Sequence, residues 1–176
     1  MEIDPRTTDR LPFHDPDETE QAYAGAAEPS GDAQLRHLQR VPLFSGFSED
    51  ELRRVADLSR IVEAPSGTVI TQIGDAGDTF FIIIDGMAAV RTPVGPGSQL
   101  QPGDCFGEMS LVDGEPRSAS IVATTDVRML VVDHSHFWRL LDETPELMRR
   151  ILTILSRRVR CLEQTIRAML QGPNPT

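Results

Sequence analysis

The sequence predicts an α+β fold: an antiparallel β jelly roll, an eight-stranded β-roll, flanked by N-terminal helices and followed by two C-terminal helices, the last one long. Three observations predict it. From about residue 59 to 133 the chain is a series of short β-rich runs separated by Gly, Pro and Asp turns, the texture of an antiparallel barrel or double sheet. Before them, Ser48 and Glu51 stand at the spacing of a capping box, which opens a helix. After them, apolar residues recur at helical spacing from Met148 to Met169.

The elements follow in order. Residues 1–34 hold nine acids against Arg6 and Arg10, with Pro5, Pro12, Pro16 and Pro29 and little apolar periodicity. That composition predicts a disordered acidic tail carrying most of the net charge of −10. Leu35 to Val41 reads as a short helix stopped by Pro42, and the capping box starts a second helix running to about Leu58. Strands are expected at SRIVEA, TVITQI, TFFIII, MAAVRT, SQLQ, CFGE, ASIVAT and VRMLVV, with Gly74, Gly77, Gly86, Gly95, Gly97 and Gly103 at turns. Asp133 is expected to cap a helix over His134 to Glu143. Thr144 and Pro145 then supply a cap and a first-position proline for the final helix. Residues 35–170 form one domain on this account, with helix 145–170 as its last element and 171–176 as a disordered end.

In the final helix Met148, Leu152, Leu155, Val159, Leu162, Ile166 and Met169 alternate spacings of four and three, a heptad seam. With Leu155 at d, the a positions are mostly β-branched and the d positions Leu or Met, which favours a parallel two-stranded coiled coil and hence a homodimer. In that register Arg158 at g and Glu163 at e pair between chains. Arg149, Arg150, Arg157, Arg160 and Arg167 flank the seam and are read as its solvated border, not as DNA contacts. Only Gln171 to Thr176 follow, too few for a helix-turn-helix reader.

Composition removes other classes. No run approaches the ~18 apolar residues of a membrane span, and the N-terminus has no signal-peptide pattern, so the expected location is cytoplasmic with no membrane partner. Cys105 and Cys161 are too few and too far apart for a disulfide framework or a metal knuckle. His134-Ser135-His136 is an HxH pair without a nearby carboxylate or third histidine, so a cupin-like metal enzyme is disfavoured and no metal or other cofactor is expected.

The segment Phe106 to Ala119, FGEMSLVDGEPRSA, concentrates the chemistry. Gly107 permits close backbone approach, the N–H groups at Met109 to Leu111 open a helical turn that suits an anion, and Arg117 can close on that anion as a bidentate fork. Glu108 repels phosphate and so requires a donor nearby; a sugar hydroxyl is the donor that accompanies a phosphate. The segment FGEMSL, five spacer residues and RSASIVA resembles the phosphate-binding cassette of the cyclic nucleotide-binding domain, shared by catabolite activator proteins, protein kinase A regulatory subunits and nucleotide-gated channels. Upstream, GDAGDTFFIIIDG (Gly74 to Gly86) is similar to that family's glycine-turn-strand motif. Thr71 departs from the pattern, standing where the family usually has a small aliphatic residue.

The resemblance implies a β-roll that binds a 3′,5′-cyclic nucleotide, cyclic AMP rather than cyclic GMP, without catalysis. Glu108 would accept from the ribose 2′-OH and Arg117 would clamp the phosphate. Ser118 would add a hydroxyl, and Phe106, Gly107, Met109, Ser110, Leu111 and Ala119 would complete the cradle. The last helix would supply a lid, with Thr153, Ser156, Arg157 or Arg158 facing the base and Phe137 and Trp138 packing the hinge, and would relay occupancy to an effector protein. The alternative is a degenerate domain that keeps the fold as an interaction scaffold and binds no nucleotide.

Overall fold

The computed structural model describes residues 31–93 and 95–171. Most of the expected acidic tail and all of residues 172–176 lie outside that range. Helix α1 (Gly31–Arg40) starts four residues before the expected Leu35, so the last residues assigned to the tail are helical, and Gln34 Nε2 donates to the Ala56 carbonyl at 3.3 Å. A 3-10 turn (Pro42–Phe44) follows, then α2 (Glu49–Asp57), opened by the Ser48–Glu51 capping box with both reciprocal bonds present.

The eight strands are β1 (Arg60–Ala64), β2 (Val69–Thr71), β3 (Thr79–Asp85), β4 (Ala88–Thr92), β5 (Gly95–Leu100), β6 (Cys105–Phe106), β7 (Ser120–Ala123) and β8 (Val127–Asp133). A short helix α3 (Glu108–Asp113) interrupts them after β6, and α4 (His134–Glu143) and α5 (Pro145–Gln171) end the described chain. The strands form two antiparallel four-stranded sheets, ordered β1-β8-β3-β6 and β2-β7-β4-β5. Gly95 and Gly97, expected at turns, lie within β5, because that strand is longer than the SQLQ run that signalled it. Asp133 precedes α4, as expected, yet its side chain makes no capping bond.

Two cores explain the pattern of β3 and β8. Phe81, Ile83, Met129 and Val131 point between the sheets with Val62, Ile70, Phe106 and Ile121. Phe80, Ile82, Leu130 and Val132 point the other way, against Leu38, Phe44, Val55, Phe137 and Leu147 of the helical layer. A strand buried on both faces reads as a continuous apolar run, which is why TFFIII shows no alternation. Each large side chain so buried contributes about 1.5–3 kcal/mol.

Helix α5 packs through Leu147, Ile151 and the half-buried Met148, Ile154 and Leu155. This inner stripe differs from the expected seam, whose residues Leu152, Val159, Leu162, Ile166 and Met169 are 54–76% exposed. No helix among the described residues is long and apolar enough to cross a membrane.

Candidate functional site

The site is assembled where β6 runs into α3. Gly107, between them, has φ 86°, a conformation in the left-handed region that favours glycine. A Cβ there would stand 2.6 Å from the Thr79 carbonyl oxygen and 2.7 Å from Arg117 Nη1, so the position demands glycine for space as well. The sharp bend turns the chain into α3 and places Glu108, Ser110 and Leu111 inward, at 2%, 5% and 4% exposure.

Arg117 is buried at 7% exposure and held from three directions. Its Nη1 donates to the Gly107 carbonyl at 3.0 Å, and its Nη2 donates to the Thr79 carbonyl at 2.9 Å. The guanidinium carbon lies 5.8 Å from the centre of the Phe81 ring, which is itself stacked on Phe106 at 4.8 Å. Its backbone is fixed by the Gly74–Asp75 turn: Gly74 N–H donates to the Arg117 carbonyl at 2.9 Å, and Arg117 N–H donates to the Asp75 carbonyl at 2.8 Å. Gly77 completes the fit, since a Cβ there would come within 2.6 Å of Ser110 Cβ and 2.7 Å of Arg117 Nε. The upstream glycine motif therefore acts as a brace for the arginine.

Glu108 is unevenly satisfied. Its Oε1 accepts from Arg158 Nη1 of α5 at 2.8 Å, while its Oε2 is buried without a hydrogen-bond partner among the described residues. Arg158 also donates from Nη2 to the Cys105 carbonyl. This overturns the expectation that Arg158 pairs with Glu163 of another chain. The buried carboxylate is a stronger attraction than a solvent-exposed one, because screening is weaker there. Cys105, beside this pair, has its thiol pKa pushed up to about 12, first by burial and then by the negative charge of Glu108.

These groups open on one cavity of about 230 Å³. It is lined by Phe106, Gly107, Glu108, Met109, Ser110, Arg117, Ser118 and Ala119, so the structure brings together every expected site residue except Leu111, which anchors α3 in the helical core. Ser118 is exposed at the rim, with its hydroxyl 3.6 Å from Met109 Sδ. The opposite wall comprises Thr71, Val90, Thr92, Ser98, Leu100 and Ile121, and of the four expected lid residues only Arg158 lines the cavity. The wall was missed because its residues are scattered over β2, β4, β5 and β7. Only their alternation on those strands marked them as inward-facing. Phe137 is buried as expected of a hinge contact, whereas Trp138 packs edge-on to it at 5.3 Å and remains 43% exposed.

A braced guanidinium, a buried carboxylate with an idle oxygen and a partly apolar wall together suit a ligand with an anionic group, a hydroxyl and a flat apolar body. Comparison with known proteins agrees. Residues 61–144 match the family model described as the cyclic nucleotide-binding domain. The chain carries a cyclic nucleotide-binding domain. It is 40% identical over 115 residues to a cAMP-dependent protein kinase regulatory subunit of Aspergillus niger, a match covering 64% of this chain and 28% of that protein. It is 39% identical over 107 residues to a cyclic nucleotide-gated potassium channel of Mesorhizobium japonicum, covering 61% of this chain and 30% of the channel. The chain thus spans less than a third of these curated relatives.

Among solved structures, the Thermus thermophilus catabolite activator protein is similar with TM-score 0.65 and 29% identity, over 73% of this chain and 62% of that one. The PKAR CBD2 domain bound to Sp-2Cl-cAMPS is similar with TM-score 0.63 and 28% identity, over 84% of this chain and 98% of that one. The eight-stranded β-roll with C-terminal helices is the fold they share with this cyclic nucleotide-binding domain.

Proposed function

We propose that this domain is a non-catalytic sensor that binds a 3′,5′-cyclic nucleotide, cyclic AMP in preference to cyclic GMP, and relays occupancy to a partner protein by repacking α4 and α5. The observation that carries this reading is Glu108 Oε2, a buried acceptor without a donor, in the same cavity as the Arg117 guanidinium. A buried idle acceptor costs about 1–3 kcal/mol, and a ribose 2′-OH would remove that cost. Arg117 would receive the exocyclic phosphate oxygens as charge-assisted bonds. Gly107, Ser110 and Ala119 would line the phosphate with backbone, Ser118 would add its hydroxyl, and Phe106 and Met109 would flank the ligand. Leu111 would hold α3 in place. The apolar Val90, Leu100 and Ile121 would face the purine.

The cavity is smaller than the ~300–1,000 Å³ usual for small-molecule sites, and Arg158 intrudes on it. The ligand would therefore have to displace Arg158 from Glu108, and α5 with it. The preference for cyclic AMP is supported by relatives named for it, the Aspergillus niger regulatory subunit among them. Hydrolysis would need a metal cluster or a nucleophile with its base at the phosphate; Arg117, Glu108 and the neighbouring hydroxyls offer charge and hydrogen bonds instead. The exposed seam of α5 supports a homodimer, and the reading includes no DNA contact and a cytoplasmic location.

Calorimetric titration tests this. Cyclic AMP should bind saturably and more tightly than cyclic GMP. Arg117→Ala should weaken binding by about 2–5 kcal/mol, roughly 30- to 4,000-fold, because the phosphate loses its buried partner. A 2′-deoxy cyclic AMP should bind about 5- to 100-fold more weakly, since Glu108 would lose its donor. No saturable binding of either nucleotide by the wild type would leave the scaffold reading in its place.

A further inference from the structure

Helix α5 is gripped by the domain through two arginines, and the second lies away from the cavity. Arg150 Nε donates to Glu146 Oε1 at 3.0 Å on its own helix. Its Nη1 donates to the carbonyls of Pro42, at 3.4 Å, and Leu43, and its Nη2 donates to the carbonyl of Ser45. The guanidinium also stands 4.8 Å over the Phe47 ring. These carbonyls belong to the end of the 3-10 turn Pro42–Phe44, where the helical geometry leaves oxygens with no onward N–H. A planar fork with five donors can span several of them at once, which a lysine cannot. Leu43 and Phe44, buried at 5% and 2%, share the helical core with Leu147 and Ile151 of α5. The turn and the start of α5 are thus joined by packing and by a polar clamp. Arg158 lies eight residues on, about 12 Å along the helix, and reaches the cassette instead.

We propose that Arg150 is a positioning residue that makes the Pro42–Phe44 turn move with α5, so that nucleotide occupancy at Glu108 is read out at the N-terminal helices α1 and α2. The proposal rests on the cyclic nucleotide reading above and extends it to where the signal emerges. When a ribose hydroxyl takes Arg158's place on Glu108, α5 loses its hold on the cassette and shifts. The clamp then draws the turn out of its seat against the helical core. The output surface is the N-terminal helical pair and the acidic segment preceding it, rather than α5 alone.

Hydrogen exchange on the full chain, with and without saturating cyclic AMP, tests this at the amides of Phe44, Ser45 and Phe47, which donate to the carbonyls of Val41, Pro42 and Phe44. In the wild type, ligand should slow exchange in residues 106–119 and speed it at these three amides by at least about threefold. Arg150→Gln should still bind cyclic AMP and still protect 106–119, yet lose the ligand-linked change at the turn. A purely structural role would raise exchange at the turn equally with and without ligand, and that result overturns the proposal, as does a wild type that binds but shows no change there. If Arg150→Gln does not fold, Arg150→Lys, which keeps the charge without the fork, is judged by the same outcomes. A wild type that binds no nucleotide removes the underlying reading and the proposal with it, and calorimetry identifies that case separately.

Discussion

Gly107 is constrained by conformation and by space, and the two constraints can be separated. Gly46 and Gly114 also have positive φ, of 81° and 74°, but a Cβ at either would meet nothing within 4 Å. Alanine at any of the three strains the backbone by about 1–3 kcal/mol, lowering the melting temperature by roughly 2–10 °C. Only Gly107→Ala should also weaken cyclic AMP binding, by at least about tenfold, because its methyl group would push Arg117 Nη1 and the Thr79 carbonyl from their places. Calorimetry beside thermal denaturation checks both halves, and equal affinity in the three variants would refute the spatial argument. The sequence made Glu108 and Arg117 legible because they lie nine residues apart in one segment whose turn chemistry is local. The bond from Arg158 was not legible, since it spans 50 residues and depends on how α5 is laid across the roll.

At the scale of the element, α5 carries two apolar stripes that share the same spacing of three and four. Leu147, Ile151 and Ile154 face the domain, and Leu152, Val159, Leu162 and Ile166 face away from it. Periodicity reveals a stripe but not its partner, so the heptad seam was visible while the inner stripe was hidden beside it. The strands were legible for a plainer reason: each β-rich run is bounded by turn residues, and all eight form. The outer stripe predicts self-association. Leu162→Asp, at a position 62% exposed in the single chain, should convert a dimer to a monomer in sedimentation velocity while leaving the melting temperature within a few degrees. A wild type that sediments as a monomer across a wide concentration range would exclude the seam as a dimer interface.

Across the whole molecule, β3 and β8 separate two cores, and Cys105 sits where the helical core meets the site. Its thiol, raised to about 12 from a model value of 9.0, binds its proton more tightly folded than unfolded. That contribution is complete below the unfolded pKa and is lost as pH rises through the window from about 9 to 12, because the unfolded chain gives up the proton first. Urea unfolding between pH 7 and 10.5 should therefore show a steeper alkaline fall for the wild type than for Cys105→Ala, and parallel curves would show that burial does not hold the proton. None of this was legible in a cysteine count, which read two ordinary thiols; the burial that distinguishes Cys105 from the exposed Cys161 comes from sheet order. Arg117 is already gripped by two carbonyls, whereas Arg158 must release Glu108 before a ribose can bind there. In the proposed sensor, the first handhold is ready at every encounter and the second waits on a helix. Beyond some concentration, more nucleotide brings no faster answer: the tempo of the response belongs to the protein and not to its messenger.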